Sequence, residues 1–166
     1  MRSDGDSANV PRAQHRILFV CTGNLCRSPM AEFLLKHMIQ TTGAKGIRVG
    51  SAGVIAQTGE PAPENAIAVL EEHGIDLSPH RSKVLTQEMV DWADRIVVME
   101  EYHRRLISRY FKNADGRIGL ISEYAGDRRV PREIHDPYGE LKNYYRKTFH
   151  EIRRCVAGLF ARISDV

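Results

Sequence analysis

The chain has 166 residues, a length that favours one domain. It carries 24 Lys and Arg against 21 Asp and Glu, a net charge of +3 that is too balanced to indicate nucleic-acid or membrane binding. The 42% of hydrophobic and 27% of charged residues are typical of globular proteins and exclude disordered, collagen-like and coiled-coil classes. Three cysteines are too few for a disulfide scaffold, so we expect reduced thiols and a cytoplasmic protein.

The two parts of the chain differ in composition. Residues 1–15 are polar and predict a disordered tail, and no apolar stretch follows the start as it would in a secretory signal. No run approaches the roughly 18 apolar residues that a membrane span needs. We therefore expect a single domain over residues 16–166, acting as a monomer with no nucleic-acid or membrane partner.

Strands and helices are predicted to alternate along the domain. Apolar runs of β-type residues predict four strands, at residues 16–21, 47–49, 94–99 and 118–121. Apolar spacing of three and four residues, with capping signals, predicts five helices, from residue 28 onward and at 64–73, 86–92, 101–111 and 141–163. This alternation indicates an open α/β domain with a parallel sheet, whose ligand site lies at the carboxyl ends of the strands.

The loop after the first predicted strand carries a cysteine six residues before an arginine. A loop at a helix N-terminus points backbone N–H groups inward and attracts anions. Arg27 can add two parallel hydrogen bonds to a tetrahedral oxyanion, and the same positive field favours the thiolate of Cys21. Ser28 could donate a hydrogen bond to this sulfur. Gly23 is expected to allow a tight turn, and Asn24 to tolerate a left-handed conformation and lock the loop.

Other interpretations of this loop are weaker. A cysteine at a strand end, such as Cys21, is often an inert core residue. We interpret Cys155, in the last predicted helix, as a core residue. A zinc site on Cys21 and Cys26 lacks ligands, and the loop has no nucleotide-binding glycine motif, so we predict neither a metal nor a cofactor.

A second candidate lies in the segment His135-Asp-Pro-Tyr138. An acid on a proline-stiffened loop before a helix can be held over a pocket and supply a proton to a leaving oxygen, although Asp-Pro also marks ordinary turns. The seven histidines show no metal-ligand spacing and are predicted to be surface or packing residues. The basic run of residues 103–105, together with Arg109, is expected to form a solvated helix face.

The sequence resembles the low-molecular-weight protein tyrosine phosphatases. The resemblance covers residue 16 to about residue 163, and it rests on VCTGNLCRSPMAE at 20–32, GSAG at 50–53 and DPYG at 136–139. It implies a three-layer open sandwich of the phosphotyrosine phosphatase I type, a four-stranded parallel sheet with helices on both faces. It also implies hydrolysis of a phosphomonoester in two steps, without a metal.

The resemblance implies roles for individual residues. Cys21 would attack phosphorus, Arg27 would hold the phosphoryl oxygens, and Asp136 would protonate the leaving group and later activate water. Cys26 would be able to form a reversible disulfide with the nucleophile. The phosphate-binding loop and its surroundings would comprise Thr22, Gly23, Asn24, Leu25, Cys26, Ser28 and Ser51.

The substrate depends on the pocket wall, which the resemblance assigns to Leu25 and Tyr138. Relatives that act on phosphoarginine resemble this loop but have Thr at position 25, whereas an apolar Leu suits an aromatic ring, so we predict phosphotyrosine in a protein substrate. A protein arginine phosphatase is the alternative. An arsenate reductase would need further cysteines, and a phosphate-binding module without activity would not need both Cys21 and Asp136.

Overall fold

The computed structural model describes residues 14–164 and contains one parallel sheet. Its strands follow the order β2-β1-β3-β4. Every neighbouring pair is parallel. The strands are β1 (His15–Cys21), β2 (Ile47–Gly53), β3 (Arg95–Val98) and β4 (Ile118–Leu120).

Five α-helices and one 3₁₀ turn connect the strands. The helices are α1 (Arg27–Thr42), α2 (Glu64–Glu71), α3 (Gln87–Trp92), α4 (Glu101–Tyr110) and α5 (Lys142–Ile163), and the 3₁₀ turn is Ile121–Tyr124. None of the described helices combines the length and apolar character that crossing a membrane requires.

Side chains of β1 alternate between two apolar cores. Ile17 and Phe19 lie in the core formed with α1, α2 and α5. Leu18 and Val20 lie in the core formed with α3 and α4. Because successive strand residues point to opposite faces, a continuous apolar strand is buried on both sides. The predicted three-layer α/β sandwich is therefore confirmed.

The strand bounds differ from the prediction: β1 and β2 are longer than predicted, and β3 and β4 are shorter. β1 begins at His15, one residue inside the predicted tail, because His15 pairs with Ile47 and its N–H donates to the Gly46 carbonyl at 2.7 Å. The rest of that predicted tail, residues 1–13, lies outside the described residues. β2 continues to Gly53, because β1 pairs with it over its full length.

Candidate active site

The loop of interest, residues 22–26, leaves the carboxyl end of β1 between two neighbouring strands. β1 pairs with β2 on one side and with β3 on the other. The strand that follows β1 in sequence is therefore added on one side of β1, and the later strands are added on the opposite side. Such a reversal of strand order opens a crevice at the carboxyl edge. Cys21 ends β1 there, and α1 begins directly after the loop at Arg27.

Close contact with β2 shapes the loop. A side chain at Gly53 would place its Cβ 2.6 Å from the Thr22 carbonyl oxygen and 2.8 Å from the Asn24 nitrogen. Glycine is therefore required at position 53. The tight turn predicted at Gly23 falls instead on Asn24, which adopts a left-handed φ of 54°, whereas a Cβ at Gly23 would make only ordinary contacts.

The side chain of Asn24 holds this left-handed turn in place. Its Nδ2 donates to Ser28 Oγ and to Ser51 Oγ, each at 2.9 Å. Its Oδ1 accepts from the Lys83 backbone at 2.9 Å. Three hydrogen bonds of this kind offset the cost of the left-handed backbone, which is about 1–2 kcal/mol for a residue with a side chain.

Two buried residues that the sequence did not single out support the same turn. His80 Nε2 lies 2.7 Å from the Asn24 carbonyl oxygen, which can only accept, so the ring nitrogen donates. Burial lowers the pKa of His80, which keeps the ring neutral. Glu32 accepts a hydrogen bond from Ser51.

The Cys21 sulfur lies at the base of the loop beside a hydroxyl. Cys21 is 2% exposed, and its Sγ is 2.9 Å from Ser28 Oγ. Because the Ser28 oxygen already accepts from Asn24, its proton can be donated to the sulfur, which is closer than the alternative acceptor, the Ala52 carbonyl at 3.4 Å. This arrangement can stabilise a thiolate.

Arg27 is buried and is held by contacts on both terminal nitrogens. Nη1 donates to the Ile134 carbonyl at 2.8 Å and lies 3.1 Å from the Glu100 carboxylate. Nη2 lies 3.3 Å from Thr22 Oγ1 and 3.5 Å from Asp136 Oδ2. The guanidinium is therefore fixed before any ligand binds.

Further donors at this position have no protein partner. Nε of Arg27 is buried, and among residues 14–164 it finds no acceptor. The backbone N–H groups of residues 23–26 likewise make no hydrogen bond within that part of the chain. Buried donors are almost always paired in folded proteins, so this concentration of unpaired N–H groups indicates an anion site.

The structure brings most of the predicted site residues to one pocket. Asp136 lies on its edge with 43% of its side chain exposed, and its Oδ1 accepts from the Tyr138 backbone at 3.1 Å. The Tyr138 ring is 62% exposed at the rim. The side chains of Asn24, Ser28 and Ser51 do not line the pocket, and the Asn24 amide joins the two serine hydroxyls instead. The pocket is lined by Cys21, Thr22, Gly23, Leu25, Cys26, Arg27, Asp136 and Tyr138.

The prediction that residue 103 belongs to a solvated basic face is wrong. His103 is fully buried in the first turn of α4, and its Nε2 lies 2.9 Å from Thr22 Oγ1. Burial, together with the charge of Arg27, lowers the pKa of His103 to about 3. The residue therefore contacts the loop as a neutral ring. The sequence did not indicate this role, because the two arginines that follow His103 suggested an exposed basic face.

The other two cysteines are buried thiols. Burial raises the pKa of Cys26 to about 12, with smaller contributions from Asp136 and Cys21, and burial also raises the pKa of Cys155 to about 12. All three cysteines are free, and within the described range no three potential ligands cluster as a metal site. Cys155 lies on the buried face of α5, in the apolar core.

Comparison with known proteins identifies the family. The family model of the low molecular weight phosphotyrosine protein phosphatases matches residues 16–165. The chain therefore belongs to this family of phosphatases. Among solved structures, the low molecular weight protein tyrosine phosphatase of T. tengcongensis is similar, with a TM-score of 0.82 and 38% identity over 90% of this chain and 99% of that one.

Individual relatives carry two different substrate names. A protein-arginine-phosphatase of Geobacillus stearothermophilus is 36% identical over 90% of this chain and 97% of its own length. A low molecular weight protein-tyrosine-phosphatase of Acinetobacter johnsonii is also 36% identical, over 85% of this chain and 92% of its own length. Overall identity therefore does not distinguish between the two substrates.

Proposed function

We propose that this phosphatase hydrolyses phosphotyrosine in proteins through a phosphate ester of Cys21. The observation that carries the proposal is that Cys21 shares a pocket with donors unpaired within residues 14–164, namely Nε of Arg27 and the loop N–H groups. These donors suit a phosphoryl group, whose oxygens carry negative charge through the transition state.

In the first step the Cys21 thiolate attacks phosphorus. The S–P bond forms while the bond from phosphorus to the phenolic oxygen breaks, and Asp136 gives its proton to that oxygen. Arg27 holds the phosphoryl oxygens, because its guanidinium is already fixed by Glu100 and the Ile134 carbonyl. A fixed cation needs no reorganisation as charge develops.

In the second step water attacks the phosphorus of the Cys21 ester. Asp136, now a carboxylate, takes a proton from this water, and the S–P bond breaks to release phosphate. Ser28 Oγ, 2.9 Å from Sγ, stabilises the sulfur as it leaves as a thiolate. Neither step requires a cofactor or metal.

The pocket wall favours an aromatic substrate. Leu25 and Tyr138 both line the pocket, and between them they offer an aliphatic and an aromatic surface to a phenyl ring. A guanidinium group would meet no additional polar side chain at position 25. Protein arginine phosphatase activity is the second candidate, because a relative of that name is equally similar overall.

The cellular setting follows from the thiols and the site. Three free, buried cysteines favour a reducing compartment, so we propose a cytoplasmic location. We also propose that the protein acts as a monomer, because Cys21, Arg27 and Asp136 meet in a pocket that a single chain can form.

The test is a paired measurement of turnover. The purified protein is given a phosphotyrosine peptide and phosphoarginine, both without metal ions, and Cys21→Ser serves as the blank. We expect turnover of phosphotyrosine, none by Cys21→Ser, and unchanged activity in Cys155→Ala as the matched cysteine control. Preference for phosphoarginine would contradict the substrate, and activity in Cys21→Ser would contradict the mechanism.

A further inference from the structure

We propose that the Thr22 hydroxyl donates its proton to an oxygen of the phosphoryl group bound over Cys21, and that His103 is the positioning residue that fixes this direction. The inference rests on the proposed function, since it concerns the same pocket. In this proposal the Thr22 side chain binds the ligand in addition to the backbone N–H groups of the loop.

First, the contacts of His103 determine which of its ring nitrogens carries the proton. Its Nδ1 accepts a hydrogen bond from the Glu100 backbone N–H at 3.1 Å, and a backbone N–H can only donate. Nδ1 therefore carries no proton. The buried ring is neutral, so its single proton is on Nε2, which faces Thr22 Oγ1 at 2.9 Å. His103 must donate to Thr22.

The second step is the direction of the Thr22 proton. A hydroxyl oxygen accepts two hydrogen bonds and donates one. Thr22 Oγ1 accepts from His103 Nε2 and from Arg27 Nη2, at 2.9 and 3.3 Å. Both acceptor positions are thus filled by groups that only donate. The hydroxyl proton has to point elsewhere, and within residues 14–164 it meets no further acceptor.

The third step is the identity of the acceptor. Thr22 lines the pocket, and its oxygen is bound to the same guanidinium that faces the phosphoryl group. The Cys21 sulfur already has a hydroxyl neighbour in Ser28, and the Asp136 carboxylate lies near Nη2 of Arg27. A phosphoryl group bound in this pocket would bring oxygens that need hydrogen-bond donors, and the Thr22 proton suits one of them.

His103 is suited to fix this geometry because burial and hydrogen bonds hold its ring. It is fully buried in the first turn of α4, and both ring nitrogens are bound, one to Glu100 and the other to Thr22. Only the other neutral tautomer, with Nε2 unprotonated, would let the hydroxyl rotate and donate to the ring. The Glu100 N–H excludes that tautomer, because it needs Nδ1 as its acceptor.

The test is calorimetric binding of inorganic phosphate to the full chain. Thr22→Val removes the hydroxyl with little change of shape, and Thr22→Ser retains it. Because hydrogen bonds to charged groups are the stronger ones, we expect Thr22→Val to weaken phosphate binding roughly tenfold or more, and Thr22→Ser to stay within about threefold of wild type. Equal affinities of wild type and Thr22→Val would overturn the proposal.

His103 is tested separately from its contribution to folding. Nitrogen NMR of the wild type should show Nε2 protonated and Nδ1 unprotonated, and the opposite tautomer would remove the basis of the inference. His103→Leu should weaken phosphate binding when Thr22 is present, but it should have no further effect in the Thr22→Val background. His103→Gln, whose amide can donate to Thr22, should bind phosphate nearly as tightly as the wild type. Equal losses in both backgrounds would mean that His103 acts independently of Thr22.

Two further measurements distinguish phosphate binding by Thr22 from the proposed phosphatase activity and from an effect of Thr22 on the Cys21 sulfur. Phosphate binding requires no turnover, so a protein that binds phosphate through Thr22 but hydrolyses no phosphomonoester would refute the proposed function alone. The rate of Cys21 alkylation against pH reports on the thiolate. If Thr22→Val changed that profile and left phosphate binding intact, the hydroxyl would serve the sulfur, and the inference would be wrong.

Discussion

Arg27 Nη2 lies 3.5 Å from Asp136 Oδ2, which joins the first turn of α1 to the loop before α5. The pair links the group that would hold the phosphoryl oxygens to the group that would protonate the leaving oxygen. A bound phosphoryl group competes with the Asp136 carboxylate for the guanidinium. Substrate binding would therefore free Asp136 to hold a proton over the leaving group.

Asp136→Asn tests this arrangement. We expect kcat to fall about a hundredfold or more for phosphotyrosine, whose phenolate leaves poorly without a proton, and far less for an activated nitrophenyl phosphate. Because the variant lacks the competing carboxylate charge, it should also bind inorganic phosphate more tightly. Steady-state kinetics with the two substrates makes the comparison, and equal losses of kcat on both would show that Asp136 is not the acid.

Asn24→Ala tests how the loop is held. The change removes the hydrogen bonds to Ser28 and Ser51 and keeps the left-handed backbone, so the free energy of unfolding should fall by about 2–4 kcal/mol. Asn113→Ala is the matched control, because Asn113 has a similar φ of 61° but lies exposed on another loop. Denaturant unfolding measures both, and an equal loss in the two variants would contradict a specific role for the Asn24 side chain.

The neutral state of His103 predicts a dependence of stability on pH. Its pKa is about 3 in the folded protein and about 6.5 in an unfolded chain, so below pH 6.5 only the unfolded state takes up the proton. The stabilisation is complete above pH 6.5 and is lost as the pH falls, by up to about 1.4 kcal/mol per pH unit. Urea unfolding of wild type and His103→Gln from pH 7.5 to pH 5 should show the steeper decline in wild type, and parallel curves would contradict the assignment.

Leu25→Thr tests the substrate preference. Placing a hydroxyl in the pocket wall should lower the ratio of kcat/KM for phosphotyrosine over phosphoarginine by about tenfold, since a changed pocket contact contributes about 1–3 kcal/mol. Leu25→Val is the control, because valine has the shape of threonine without the hydroxyl. If both variants shifted the ratio equally, size and not polarity would set the preference.

The fold and the central loop were predictable because their signals are local. A buried strand, a loop with Cys21 and Arg27, and a helix start follow one another within a dozen residues, and α/β alternation then locates the loop at the sheet edge. The supporting contacts are not local. His103 meets Thr22 across 81 residues of sequence, and His80 meets Asn24 across 56. Residue type alone does not distinguish a buried histidine from an exposed one beside arginines.

The most direct test of the account is the partition of the phosphoryl group between water and an added alcohol. If every substrate passes through the same phosphate ester of Cys21, the ratio of alkyl phosphate to free phosphate is identical for phosphotyrosine and for nitrophenyl phosphate, because the leaving group has departed before partition. Phosphorus NMR of the products measures the ratio. A constant ratio is the result we predict, and a ratio that changes with the leaving group would contradict an intermediate on Cys21.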